Sequence, residues 1–433
     1  MWEAIESGAY PEWELGLQIF NEEEAESYEF DVLDSTKLIP VELVPIVPVG
    51  KLVLNRNPDN FFSETEQVAF CTAHIIPGID FSNDPLLQGR IHSYLDTQIS
   101  RLGGANFHEI PINAPLKEVH NNQRDGMHRQ NIPRGRVAYE PNSLAGGCPF
   151  QAGMQGFTSF PEPIAEDKVR GKAEKFADHY SQATLFYKSQ SANEQQHIIN
   201  AFRFELTRVQ TPAIRSRVVS LLLNVDEALA NEVAKGLGIV LPPPTPLASE
   251  KIFPVLDPSP ALSQTHYPGD GSIKTKKVAI LASHGVDGNN LTELYDAILS
   301  QGGVPRVLST TLGQLKTSQG KLVNVEATIE TMPSVLFDAM AIPDGKESFD
   351  NLLIDGRTLE FIRDQYRHCK PILMTKDAKD ALIKFNVAKK TETEIPDPSL
   401  IVSGDNFSKS VEKFIKVLGG PRDLSRETTP PSI

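Results

Sequence analysis

Between Leu86 and Leu102 the apolar residues Leu87, Ile91, Leu95, Ile99 and Leu102 recur every three or four positions. That spacing puts them on one face and predicts a helix, which Gly103 and Gly104 would end. Upstream the pattern is weaker. Pro40–Val49 holds three prolines and reads as extended chain, Lys51–Asn55 as a short strand, and Glu64–Thr72 as a short helix. From Asn106 to Pro161 the chain is polar, rich in Gly and Pro, and without a clear period. So long an irregular stretch suits a segment wrapped over a larger body or another subunit.

Periodicity returns after residue 165. Helices are expected over Glu174–Phe186, Asn193–Val209, Ala213–Leu223 and Glu227–Leu237. Ser191 with Glu194 has the spacing of a capping box. Pro212 suits a first helical turn, and Asp226 and Gly238 bracket the last helix. Residues 239–275 carry Pro242, Pro243, Pro244 and five further prolines, which makes a stiff linker. Beyond it, strand patterns at Lys277–Leu281, Val304–Leu308, Phe337–Ile342 and Pro371–Met374 alternate with helical ones at Asn289–Gln301, Leu352–Gln365 and Phe407–Leu418. This alternation argues a parallel, doubly wound sheet. The expected domains are therefore 1–165, a helical domain 166–238, a linker 239–275 and an α/β domain 276–433.

Composition narrows the function. The 433 residues include 42 Lys and Arg against 56 Asp and Glu, a net charge of −14, so a basic footprint for nucleic acid is missing. Cys71, Cys148 and Cys369 lie far apart and outside any CxxC pattern, which excludes a disulfide framework or a cysteine-rich zinc site. No apolar run is long enough to span a membrane. Met1–Tyr10 has no secretory-signal pattern, and both a cytoplasmic and a secreted location stay open. The tripeptides Asn290-Leu291-Thr292 and Asn406-Phe407-Ser408 match the glycosylation sequon.

In the α/β domain, Ser283-His284-Gly285-Val286-Asp287-Gly288 follows the first strand but matches neither nucleotide-loop motif. No Cys or Ser nucleophile stands on the turn Thr375-Lys376-Asp377, and His284 and His368 read as loop or packing residues. The Leu86–Leu102 helix offers more. Arg90 and Tyr94 are four apart on one face. A guanidinium one turn from a phenol can hydrogen-bond it and favour the phenolate. Phenolate is a hard anionic oxygen suited to ferric iron, and tyrosinate is among the axial ligands of haem. Arg101, seven residues past Tyr94, could pair with a cofactor carboxylate. The same spacing also describes a plain surface Arg–Tyr pair.

The stretch Arg90-Ile91-His92-Ser93-Tyr94-Leu95-Asp96-Thr97 resembles the proximal ligand signature of haem catalases. The segments Asn55–Phe62, His74–Ile79, Asn83–Arg90, Asn106–Asn113 and Asn122–Met127 resemble further family segments in family order. The resemblance implies that Tyr94 is the axial ligand of haem iron, b or d type, and that Arg90 hydrogen-bonds its oxygen. By the same resemblance Arg101 faces a haem propionate and Phe70 lines the haem edge. Cys71, 23 residues before Tyr94, stands where some large catalases join a side chain to the Cβ of the ligand tyrosine, which implies a Cys71 Sγ–Tyr94 Cβ thioether. Gln98 stands where small catalases prefer His, a mark of the large-subunit class, and that class argues against NADPH binding. The implied fold is multidomain: the second part of the catalase β-barrel and wrapping region, a helical domain, and a C-terminal flavodoxin-like α/β domain. The implied activity is disproportionation of hydrogen peroxide to water and oxygen by a homotetramer, with no nucleic-acid or membrane partner. The first histidine is His74, which leaves no candidate for the family's distal histidine. The expectation is therefore a chain lacking the N-terminal part of the subunit. Such a chain supplies the proximal haem side only and is nearly inactive by itself. The alternative expectation is an inactive fragment with a structural, assembly or binding role.

Overall fold

The computed structural model describes residues 1–75, 78–104, 107–114, 159–165, 169–375, 397–404 and 406–428, with positions 116, 134, 136, 144, 167, 378 and 379. The chain forms two compact units. One comprises residues 1–188 and 202–259, the other 189–201 and 260–433.

The first unit opens with α1 (Trp2–Glu6), β1 (Glu12–Leu17), α2 (Glu22–Ser27) and β2 (Val47–Val53). β1 and β2 pair antiparallel, Glu12 opposite Val53, with an irregularity at Leu15/Gly16. Residues 1–165 were expected as the second part of a β-barrel. The described part is instead a mixed helix and strand region with one two-stranded sheet. The strand expected at Lys51–Asn55 begins earlier, at Val47, so the stretch read as merely extended already carries ladder pairing. The helix expected over Glu64–Thr72 is a single wide π-type turn, Phe62–Glu66. The expected Asn106–Pro161 wrap lies largely outside the described residues. Its described start holds two short 3₁₀ turns, Phe107–Glu109 and Pro111–Asn113.

The central element is α3 (Pro85–Leu102). The Asp84 carboxylate accepts the Leu87 N–H at 2.7 Å, and Pro85 fills the first turn, where its missing N–H costs nothing. Gly103 ends the helix at φ 77°, a conformation that penalises a side chain. The helical region has α4 (Ser181–Ser189), α5 (Ala192–Arg208), α6 (Pro212–Leu222) and α7 (Glu227–Leu237); the first was expected from Glu174, where the chain instead makes a separate 3₁₀ turn, Glu174–Ala177. α7 is capped by Asp226, which accepts the Leu229 N–H at 3.0 Å, and ends at the left-handed Gly238. It buries Leu229, Ala230, Val233 and Ala234. The boundary between the units runs through α5.

In the second unit a six-stranded parallel sheet is formed by β3 (Lys277–Leu281), β4 (Val304–Ser309), β7 (Ala327–Thr328), β8 (Ala339–Ala341), β9 (Ile372–Met374) and β10 (Leu400–Val402), in the order β10-β9-β8-β3-β4-β7. A separate hairpin, β5 (Gly313–Lys316) with β6 (Leu322–Val325), precedes β7. Strand periodicity sorts the core into two layers. Val278 and Ile280 join Leu291, Leu294 and Ile298 of α8 (Gly288–Ser300) and Phe414 of the closing helix (Phe407–Gly419). Ala279 and Leu281 face the other way, onto Phe349 and Leu352 of α9 (Lys346–Leu352) and Phe361 and Ile362 of α10 (Gly356–Arg367). Both sheet faces are covered, so the strands read as continuous apolar runs. The helix expected over Leu352–Gln365 is α10, which starts at Gly356, where Asp355 accepts the Arg357 N–H at 3.0 Å; α9 ahead of it was not expected. Among the described residues no helix is long and apolar enough to cross a membrane.

Candidate functional site

The cap at Asp84 fixes the start of α3 and thereby the direction in which its side chains emerge. The Ser82 hydroxyl at 2.6 Å, then the Leu87 N–H and the Arg90 charge, hold the Asp84 carboxyl below its ordinary range. One turn on, Arg90 Nη2 donates to Tyr94 Oη at 3.0 Å, and the guanidinium lies 5.0 Å from the tyrosine ring centre. Both side chains are half-buried. The four-residue spacing thus brings together the pair that the sequence proposed.

Phe70 meets the same tyrosine from a non-helical segment. Its ring stands edge-on to Tyr94, centres 5.4 Å apart at 76°, and it is 59% exposed. Asn113 holds this segment from below: Oδ1 accepts the Ala69 N–H at 2.7 Å, and Nδ2 donates to the Gln67 and Phe107 carbonyls at 2.9 Å. Cys71 is half-buried. Burial pushes its thiol up, partly offset by the N–H groups of Ala73 and His74. Arg101 donates to the backbone carbonyls of Glu66 and Val68 and to Gln98 Oε1 at 2.6 Å. Gln98 Nε2 donates to the Phe70 carbonyl at 3.3 Å. Sequence reasoning missed Asn113 altogether and took Gln98 as a class mark without a contact. Asn113 bonds distant backbone groups, and Gln98 joins the distant Phe70 carbonyl to Arg101 three residues on, so neither role shows in the local pattern.

The residues around Tyr94 fit one side of a haem. They offer a phenol oxygen already bonded to a fixed cation. Phe61 and Phe62, like Phe70, leave large apolar rings exposed. Next to Arg101 lies a cavity of about 400 Å³ lined by Phe62, Glu66, Gln67 and Leu102.

Among its described residues the α/β domain offers no comparable set. His284 Nδ1 accepts the Lys316 N–H at 3.0 Å, and the sequon residue Asn290 donates its amide to Asp344 at 2.6 Å.

Comparison with known proteins decides the family. The model for catalase matches residues 1–146, that for a catalase-related immune-responsive domain residues 173–237, and that for the C-terminal domain found in long catalases residues 274–428. The chain belongs to the catalase family. It is 48% identical to Catalase HPII of Pseudomonas putida over 99% of the chain and 59% of the relative. It is 42% identical to Catalase-B of Dictyostelium discoideum over 99% of the chain and 61% of the relative, and 41% identical to Catalase-1 of Neurospora crassa over 89% and 52%. The chain therefore spans 52–61% of the length of these curated relatives.

Membership in the catalase family implies a haem cofactor. It also changes how the residues before the ligand helix are read. The catalase model matches residues 1–146, and the Pseudomonas relative aligns over 99% of the chain. The expectation of a remnant serving the proximal side alone, which rested on the lack of a histidine before His74, gives way to three matched domains. The residues before Asn55 fold as α1, β1, α2 and β2.

Proposed function

We propose that this catalase disproportionates hydrogen peroxide to water and oxygen at a haem whose iron is bound by Tyr94 Oη. The observation that carries the reading is the 3.0 Å hydrogen bond from Arg90 to that oxygen on the half-buried face of α3. When bound, haem supplies the redox chemistry by which one peroxide is reduced and another oxidised. The chain's own contribution is positional and electrostatic. Arg90 directs a charge-assisted hydrogen bond into the ligand oxygen and turns the phenol toward one rotamer. Phe70 covers the ring of Tyr94 from the side. Arg101 now serves neutral carbonyls. A haem propionate would be the better acceptor, since a charge-assisted pair is about twice as strong.

A thioether from Cys71 Sγ to Tyr94 Cβ belongs to the same proposal. Its formation removes one hydrogen from each atom, and peroxide reduced to two waters would take up the pair. An intact mass two hydrogens below that of the sequence tests it. A homotetramer is proposed as well. It is supported by the exposed apolar residues Trp13, Leu15 and Leu17 of β1 and Val47, Val49 and Leu52 of β2, since contiguous apolar surface marks contact sites.

Haem titration of the purified chain with oxygen-electrode assays tests the reading. The wild type is expected to bind haem with a tyrosinate-type spectrum and evolve oxygen. Tyr94→Phe should lose that spectrum, and Arg90→Leu should lose about 10–100-fold in haem affinity or rate, as partners of metal ligands do. A Tyr94→Phe protein with an unchanged spectrum and rate would overturn it.

A further inference from the structure

Gln98 is the one buried residue of α3, 5% exposed, while the apolar residues of the helix stay half-covered. A buried amide is costly unless both of its ends are bonded. Here they are, one to the Phe70 segment and one to Arg101 on the same helix. Nε2 donates to the carbonyl of Phe70, 28 residues upstream, and Oε1 accepts from Arg101. Arg101 in turn grips the carbonyls of Glu66 and Val68, the same segment that carries Phe70. Tyr94, Gln98 and Arg101 lie four and three residues apart, so they share one face of the helix.

We propose that Gln98 is a positioning residue for the haem site: its amide ties the Phe70 segment and the Arg101 guanidinium together, which sets both flanks of Tyr94 at once. The proposal rests on the reading of Tyr94 as haem ligand. Gln98 touches neither ligand atom nor cofactor. It acts through Phe70, whose ring packs on Tyr94, and through Arg101, which would meet a propionate. An apolar side chain of similar length would fill the space and hold neither flank.

The test uses the full chain with Gln98→Met and Gln98→Glu. Met keeps the length and removes both bonds. Glu keeps the acceptor for Arg101 and removes the donor to Phe70. Hydrogen exchange is read at the amides of Gln67, Val68 and Ala69, which are bonded within the segment and to Asn113, with α8 as internal reference. Gln98→Met should speed exchange there about tenfold, the factor worth one lost hydrogen bond, with α8 unchanged. Gln98→Glu should fall between Met and wild type. Haem titration gives the second readout. Loss of positioning moves the absorption band of the bound haem, whereas a merely structural defect lowers occupancy at an unmoved band. If Gln98→Met fails to fold, shown by fast exchange in α3, Gln98→Glu alone decides. Exchange within twofold of wild type in every folded variant, or an unmoved band, overturns the proposal. A wild type that takes no haem instead defeats the catalase reading, and the exchange comparison still decides whether Gln98 holds the segment.

Discussion

Glu194 offers a sharp test of how α5 is held in the second unit. Its carboxylate accepts four hydrogen bonds, each 2.8 Å: from the Ser191 N–H, the Ser191 hydroxyl, the Ser263 hydroxyl and the Gln264 N–H. Burial alone would raise its pKa, but these donors outweigh it and bring the group to about 2 from 4.5. The folded value is depressed, so the stabilisation is fully present above pH 4.5 and is lost as pH falls through about 2. At 1.36 kcal/mol per unit the displacement corresponds to roughly 3 kcal/mol. Glu194 is partly exposed, and solvent screening reduces this to about 1–2 kcal/mol. Glu194→Gln keeps the shape, removes the charge and turns an amide N–H toward donors. Hydrogen exchange at the Ser263 and His266 amides, both bonded within the docked turn, should quicken by about 5–30-fold at pH 7. Wild type and variant should converge as the pH is lowered from 4.5 to 2. Equal exchange at pH 7, or a difference that persists undiminished at pH 2, would refute the reasoning.

Two further outcomes test the α/β domain. Arg426, 3% exposed, grips Asp397 at 2.7 and 3.1 Å, donates to the Lys370 carbonyl at 2.9 Å and covers the Tyr366 ring. Arg426→Ala strands a partly buried carboxylate and should cost about 3 kcal/mol, read as a lower Tm for the domain's unfolding transition; an unshifted Tm would contradict it. Gly345 has φ 129°, and a Cβ there would lie 2.6 Å from the Gly285 carbonyl oxygen. Gly345→Ala should cost more than about 2 kcal/mol by calorimetry, and a neutral result would mean that these two loops are looser than they are drawn.

Local signals carried most of the helices. The cap at Asp226, the stops at Gly103 and Gly238, and the three–four spacing of Leu87 to Leu102 each depend on residues within a turn of one another. The same locality made Arg90 and Tyr94 legible as a pair. What escaped depends on distant partners. β7 is two residues long and is a strand only because Leu308 and Ser309 lie beside it. β10 gains its identity from β9 across a long insertion. The ladder order β10-β9-β8-β3-β4-β7 is not the chain order, and nothing in one strand's pattern states its neighbour. In the site, the bonds of Gln98 and Asn113 run to backbone carbonyls and amides, which every residue has. No choice of side chain at Phe70 or Gln67 announces them.

The ladder order also locates the place where an α/β domain of this kind usually binds a ligand, outside the carboxyl ends of the strands where the order reverses. Here that is between β3 and β8. The position is filled by the chain. The Asp287 N–H donates to the Asp344 carbonyl at 2.7 Å, and the Ser318 N–H to the Val286 carbonyl at 2.9 Å. Gln319 accepts the Gly288 N–H at 2.8 Å and donates to Asp287 at 3.0 Å. The start of α8 would otherwise suit a phosphate, but the Asp287 carboxylate already takes the N–H groups of Asn289 and Asn290 at 2.9 and 3.0 Å. A second anion about 4 Å from that carboxylate would meet a repulsion of roughly 4 kcal/mol near the protein surface. The helix dipole returns at most about 2 kcal/mol. Anion binding at this end is therefore unfavourable by the balance of the two terms. The segment Ser283–Gly288 acts as a packed turn, and the chemistry of the described residues gathers on α3, where the Arg90 cation bonds the Tyr94 oxygen.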